Sequence, residues 1–203
     1  MSRVRTRPTR DETREKLFEA AARVFEEQGI GGASIEAIAA AAGFSRGAFY
    51  SNFKSKDELI IAMLEDHVER SIRRNLDLLA EHSNIDDFLA ALKSMDRSKQ
   101  DPLGRAPLLH MEMILYVARA EQRRPELAKR LRARRKLVAD IVEATLKDSS
   151  RPGMVNTAWT GAIVLALEDG FRLHRLIDPE TTPADSFLRA IGDLQRAIGM
   201  SSN

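Results

Sequence analysis

The sequence predicts an all-α protein with a small N-terminal module joined to a larger helical bundle. Three observations carry this. Nearly every segment shows apolar residues at helical spacing, and no run shows the β-branched alternation of a strand. The breaks fall at Gly, Pro, Ser and Asn, the residues that end and cap helices. A chain of 203 residues is long enough to bury one substantial core and still leave a small second module.

The first helix is expected from about Asp11 to Gln28, with Leu17, Ala20, Ala21, Val24 and Phe25 as its inward stripe and Gly29 as its stop. Ser34 is the predicted N-cap of the second helix, where Ile35, Ile38, Ala39 and Ala42 face the core. Gly43 can take the positive φ of a tight turn, and Ser45 caps the third helix. Phe49 and Phe53 follow at i, i+4 and point inward together. That leaves Arg46, Gly47, Ala48, Tyr50, Ser51 and Asn52 on or near the open face. Ser55 with Glu58 reads as a capping box opening a long fourth helix to about Ala80, which ties the small module to the larger one. Downstream, Asn84 starts a helix through about Ser98, and Pro102 and Pro107 bracket a short piece. Leu108 to about Gln122 forms an apolar helix, and Pro125 starts the next, to Lys147. Pro152 opens a helix through Leu176, and Thr182-Pro183 opens the last, to about Ile198. The domain break falls near Lys54–Ser55, giving modules 1–54 and 55–203.

Composition narrows the function classes. The chain is 43% hydrophobic and 31% charged and has no cysteine, so disulfides and thiolate metal sites are unavailable. No apolar run approaches the ~18 residues that span a bilayer, and the basic N-terminus has no apolar region behind it as a signal peptide would. A cytoplasmic location is the expectation. The four histidines, His67, His82, His110 and His174, show no metal-ligand spacing, so neither a metal nor another cofactor is expected. No Ser-His-Asp, paired-carboxylate or Gly-rich phosphate pattern supports catalysis.

Gly43 to Tyr50 read as the turn and recognition helix of a three-helix helix-turn-helix domain, since a short capped helix with small residues at its start and polar ones outward fits a DNA major groove. Arg46 has the fork that takes guanine O6 and N7 together, and Asn52 suits adenine or a phosphate. Net charge is only +2, so the electrostatic case for DNA rests on local distribution. Residues 1–10 contain Arg3, Arg5, Arg7 and Arg10 and no acid, which suits a basic arm tracking phosphates or entering a minor groove; a solubilising tail is the other reading.

From the first helix through Phe25 and Gly29, then Ser34, Ile38-Ala39, Ala42-Gly43-Phe44-Ser45, Gly47, Phe49-Tyr50, Phe53, Ser55-Lys56 and Leu59, the chain resembles the TetR family of one-component regulators. Leu165 to Phe171 with Ile177-Asp178-Pro179 is similar, less specifically, to the penultimate helix of many such regulators. The resemblance implies an all-α homodimer that binds a palindromic operator in double-stranded DNA, represses more often than it activates, and senses a small molecule through its C-terminal domain. It implies DNA contacts at Tyr50 and Lys56, with Ser34 and Ser45 adding phosphate contacts at their helix starts. Glu36 departs from the family pattern, being acidic where a basic or neutral contact residue is common.

The resemblance also implies an effector cavity, for which this chain offers Leu64, His67, Phe88, Leu92, Met95, His110, Met113, Ile114, Val117 and Trp159. That mainly apolar set suits a hydrophobic or amphipathic effector. His110, Glu112 and Met113 interrupt an apolar helix, and polar groups there need either a ligand or an internal partner. Trp159 belongs to a pocket, a core or a dimer seam. The dimer interface is expected on the last two helices, at Ala162, Ala166, Phe171, Phe187, Leu188, Ile191, Leu194 and Ile198. Gly161 and Gly170, about 180° apart around one helix, cannot share one close contact. The nine Lys and Arg of residues 119–136 read as a solvated helix face with Leu127, Leu131 and Val138 inward, with a second DNA surface as the alternative. The rival functions are a regulator without an effector and a helical enzyme or interaction module without DNA binding.

Overall fold

The computed structural model describes residues 9–82, 85–94, 102–146 and 156–197. Those residues form helices and no strand. Arg3, Arg5, Arg7, Met95 and Ile198 lie outside them.

The described helices form two compact units, one of residues 9–67 and 102–124, the other of residues 68–82, 85–94, 125–146 and 156–197. In the first unit, α1 (Arg10–Gly32) starts on a full capping box: Thr9 Oγ1 accepts from the Glu12 amide at 3.2 Å, and the Glu12 carboxylate accepts from the Thr9 amide at 2.8 Å. Gly29 does break it, with φ +70°, so the last turn is a separate piece. The helices α2 (Ile35–Ala41) and α3 (Arg46–Tyr50) follow, capped by Ser34 and Ser45, with Gly43 at φ +74° between them. Leu17, Phe25, Ile38, Phe49, Phe53, Leu59 and Ile60 form the core where α1 to α3 meet the start of α4 (Lys56–Glu81). Ser55 Oγ accepts from the Glu58 amide at 3.1 Å, but the Glu58 carboxylate reaches the Lys54 amide, one residue earlier than a capping box requires.

This unit also takes in α6 (Pro102–Arg105) and α7 (Pro107–Arg119), so it is larger than the 1–54 module expected from sequence. Both pack on α1, and Arg105 pairs with Glu19 at 2.6 Å. The Asp57 carboxylate accepts from the Tyr116 hydroxyl at 2.8 Å and from Arg123, tying the first turn of α4 to the end of α7 and the 3-10 turn Glu121–Arg123. Such pairings depend on residues some sixty positions apart, which helical periodicity does not reveal.

The second unit contains the later part of α4 with α5 (Ile85–Ser94), α8 (Arg124–Leu146), α9 (Thr157–Ile177) and α10 (Ser186–Ala197). Leu78, Phe88 and Leu92 are its buried cluster, with Leu188 of α10 packed against them. A Cβ on Gly161 would lie 2.8 Å from the Arg135 carbonyl oxygen, so α8 and α9 cross in close backbone contact there. Gly170 has open space at its Cβ, as the opposite sides of the helix require. Leu131, expected to point inward, is instead 40% exposed. The inner side of α8 instead turns Arg134 toward Glu168 at 2.8 Å, and Arg172 joins the same carboxylate at 2.9 Å. Several of the other basic residues of 119–136 are also paired, Arg130 with Glu126 and Lys136 with Asp140, which favours the solvated-face reading over a second DNA surface.

Candidate nucleic-acid interface

The chain around α3 builds a rigid base for a small exposed surface. Ser45 Oγ accepts from the Ala48 amide at 3.2 Å and starts the helix. At its other end Ser51 Oγ and Asn52 Nδ2 both donate to the Ala48 carbonyl, at 2.8 and 2.9 Å. Those two side chains therefore finish the helix, and the Asn52 amide is turned onto the backbone rather than outward. Beneath, the Phe49 and Phe53 rings sit 5.8 Å apart and Phe18 reaches Phe53 at the same distance. The Arg14 guanidinium covers the outer side of Phe53 at 4.7 Å. A five-residue helix has little stability of its own, so this aromatic anchoring fixes its orientation.

Arg46, Gly47 and Tyr50 are exposed on that base, with Ala48 half-buried. A Cβ at Gly47 would meet only Ser45 Oγ, at 3.8 Å, and with no side chain there another backbone can approach closely. Arg46 does not wave freely. Its Nη1 lies 3.0 Å from Glu36 Oε1 on α2, its Nη2 lies 3.5 Å from the Tyr50 hydroxyl, and its guanidinium carbon stands 5.4 Å from the Tyr50 ring centroid. The Tyr50 hydroxyl first, and the Glu36 charge second, push the Arg46 guanidinium still higher than usual, so it is a fixed cation.

Ser34 caps α2 through the Ala37 amide at 3.0 Å and remains exposed, as does Ser45. Lys56 has a different setting from the one expected. Its Nζ donates to the carbonyls of Ile30 at 2.7 Å and Ala33 at 2.9 Å, with Gly31 at 3.5 Å. The ammonium thus closes the α1–α2 loop onto the start of α4. Arg23 does similar work that sequence reading missed, its Nη2 3.4 Å from the Ala41 carbonyl at the end of α2. In both cases the acceptor carbonyls lie near helix ends 18 to 26 residues away along the chain, so no local sequence pattern marks the contact.

The expected effector-site residues divide between the two units. Leu64, His67, His110, Met113 and Val117 are buried in the first, Ile114 is half-buried, and the His67 and His110 rings lie 4.4 Å apart. Glu112 is exposed, so among the polar residues of α7 it needs no internal partner. Phe88 and Leu92 belong to the core of the second unit, and Trp159 is 68% exposed at the start of α9. Among the described residues no group of three or more His, Asp or Glu is placed to hold a metal, and no helix is long and apolar enough to cross a membrane.

The residues expected at a dimer interface are distributed unevenly. Ala166 and Leu194 are exposed, while Ala162, Phe171, Phe187, Leu188 and Ile191 are half-buried in the single chain. The open side of α9 carries Trp159, Ile163, Ala166, Gly170, Leu173 and Ile177, spaced four, three, four, three and four apart. This is a continuous stripe along one helix face.

Comparison with known proteins agrees with this architecture. Residues 17–63 match the family model described as bacterial regulatory proteins, tetR family, and residues 84–197 match one described as a tetracyclin repressor-like C-terminal domain. The chain is 25% identical over 162 residues to the HTH-type transcriptional regulator UidR of Escherichia coli K12, covering 78% of this chain and 79% of that one. Among solved structures, E. coli NemR in its reduced form aligns with a TM-score of 0.68 at 21% identity, over 89% of this chain and 95% of that one. A TetR-family regulator from Cytophaga hutchinsonii aligns with a TM-score of 0.73 at 18% identity, over 97% and 100%.

Proposed function

From the premise that the chain belongs to the tetR family of bacterial regulatory proteins, a family of DNA-binding transcriptional regulators rather than enzymes, we propose that it is a cytoplasmic repressor. It binds a palindromic operator as a homodimer, and a small hydrophobic or amphipathic effector relieves that binding. The observation that carries the DNA-reading part is the exposed set of Arg46, Gly47 and Tyr50 on a short helix anchored by Phe49 and Phe53. Arg46 reads a base edge, Tyr50 contacts a phosphate or base, and Ser34 and Ser45 present helix N-termini to phosphates. The basic arm with Arg3, Arg5 and Arg7 adds phosphate contacts.

The open stripe on α9, with Leu194 on α10, supports pairing of two copies through the last two helices. Pairing fixes the distance between two α3 helices, which must match half-sites one or more turns of DNA apart. An effector that binds one spacing better than another shifts operator affinity by that difference. The buried set of Leu64, Met113 and Val117 with His67 and His110 supports an apolar effector oriented by a few polar groups.

The test is a binding series on a duplex enriched by the protein from a random pool, substituted one base pair at a time. Arg46→Ala should flatten the preference at one position per half-site by about 1–3 kcal/mol. Uniform loss across the series would remove Arg46 as a base reader.

A further inference from the structure

Glu36 is an acid on the surface that should meet a polyanion, and its geometry gives it a use. Its carboxylate is 3.0 Å from Arg46 Nη1, and both side chains are more than half exposed. An exposed pair of this kind contributes little to folding. Its place in the first turn of α2 also complements the helix dipole, which is a purely structural role.

Toward DNA the pair has two effects. Arg46 has five N–H donors; Glu36 holds the guanidinium as an ion pair at 3.0 Å and the Tyr50 hydroxyl is in reach of one N–H, which leaves donors for a guanine edge. A fork held this way loses less side-chain freedom on binding than a free arginine. On non-cognate DNA the same carboxylate cancels the charge of Arg46 toward phosphates, so Arg46 adds little to the counterion release that drives non-specific binding. Glu36 itself is repelled by the backbone. Both effects widen the gap between the right sequence and all others.

We propose that Glu36 is a specificity-determining positioning residue, which acts through Arg46 by holding its guanidinium for one base edge and penalising binding elsewhere. The proposal rests on the reading of α3 as the DNA-reading helix.

The experiment uses the full-length protein and a random 30-base-pair duplex pool, comparing wild type with Glu36→Gln, Arg46→Ala and the double variant. Glu36→Gln should bind unselected duplex several-fold more tightly, with a salt slope steeper by about one unit. Its preference at the position flattened by Arg46→Ala should fall about tenfold. In the Arg46→Ala background the same change should leave that position unaltered, and Glu36→Asp should restore part of the preference. A role confined to the α2 start would instead lower the thermal midpoint and leave the base preference intact, which overturns the proposal. Equal loss of preference with and without Arg46 overturns action through Arg46. Failure of the wild type to enrich any sequence would overturn the DNA-reading assignment itself.

Discussion

Arg46 and Lys56 are both cations near the helix-turn-helix, yet they do opposite work. Arg46 is exposed and held at its tip by Glu36 and Tyr50, so its removal should change what the surface reads and leave the fold alone. Lys56 donates to the carbonyls of Ile30 and Ala33, so Lys56→Ala should cost about 1–3 kcal/mol of stability. Thermal or denaturant unfolding of the two variants checks this, and an Arg46→Ala protein that loses more stability than Lys56→Ala would contradict it. The difference between them was not legible in the sequence. Arg46 and Lys56 each follow a capping serine, so that placement does not separate them. The partners of Lys56 lie more than twenty residues upstream, on a loop whose path depends on the Gly29 break. Asn52 is a similar case: its spacing allows an outward amide, but the short α3 needs its last carbonyl satisfied and takes it.

At the scale of elements, helix caps and glycines were the most readable signals. Ser34, Ser45, Gly43 and Gly29 each do locally what their chemistry dictates, because a cap or a positive φ depends on immediate neighbours. Gly161 and Gly170 extend this to packing. Gly161→Ala would drive a Cβ into the α8 backbone at Arg135 and Ala139, and should cost about 1–3 kcal/mol. Gly170→Ala meets open space and should raise the stability of the isolated subunit by up to about 1 kcal/mol through helix propensity. Equal effects from the two substitutions would contradict the α8–α9 crossing.

The tie between α5 and α10 is electrostatic and gives a pH signature. Asp185 accepts from Lys93 at 2.9 Å, and pairs with Arg189 at 2.8 Å. Lys93 first and Arg189 second hold its carboxyl down at about 2, against an ordinary 3.8. A carboxyl depressed in the folded state contributes stability above its unfolded value and loses it as pH falls through the folded one. The thermal midpoint of Asp185→Asn should therefore lie below wild type at neutral pH and converge with it between about pH 4 and pH 2. A constant gap across that range would show that the carboxylate charge is not what Asp185 contributes. Nothing in the sequence pairs residue 93 with residue 185, because the contact forms only once α10 has docked on the Leu78, Phe88 and Leu92 cluster.

At the scale of the whole molecule, the proposed function requires two copies acting together. On the α9 stripe Trp159, Ile163, Leu173 and Ile177 are each more than 40% exposed, an apolar row of the kind that marks an interaction face. Ile163→Asp with Leu173→Asp should yield monomers in sedimentation and weaken operator binding far more than it weakens folding. Folded dimers after both changes would move the interface elsewhere. The sequence did mark α9 and α10 as carrying spare apolar faces. It did not distinguish Ala162 and Phe171, which are half-buried within the subunit, from Ile163 and Leu173, which are open, because that depends on the angle at which α8 crosses α9.

The proposed function requires that two α3 helices in one homodimer read two half-sites. Selection of duplex DNA from a random pool by the full-length protein, followed by footprinting and stoichiometry on the enriched sequence, measures it directly. The expected result is an inverted repeat with half-site centres about one or more helical turns apart, protected symmetrically and bound by an even number of protomers. An enriched sequence without two-fold symmetry, or bound by a single protomer at full affinity, would contradict it.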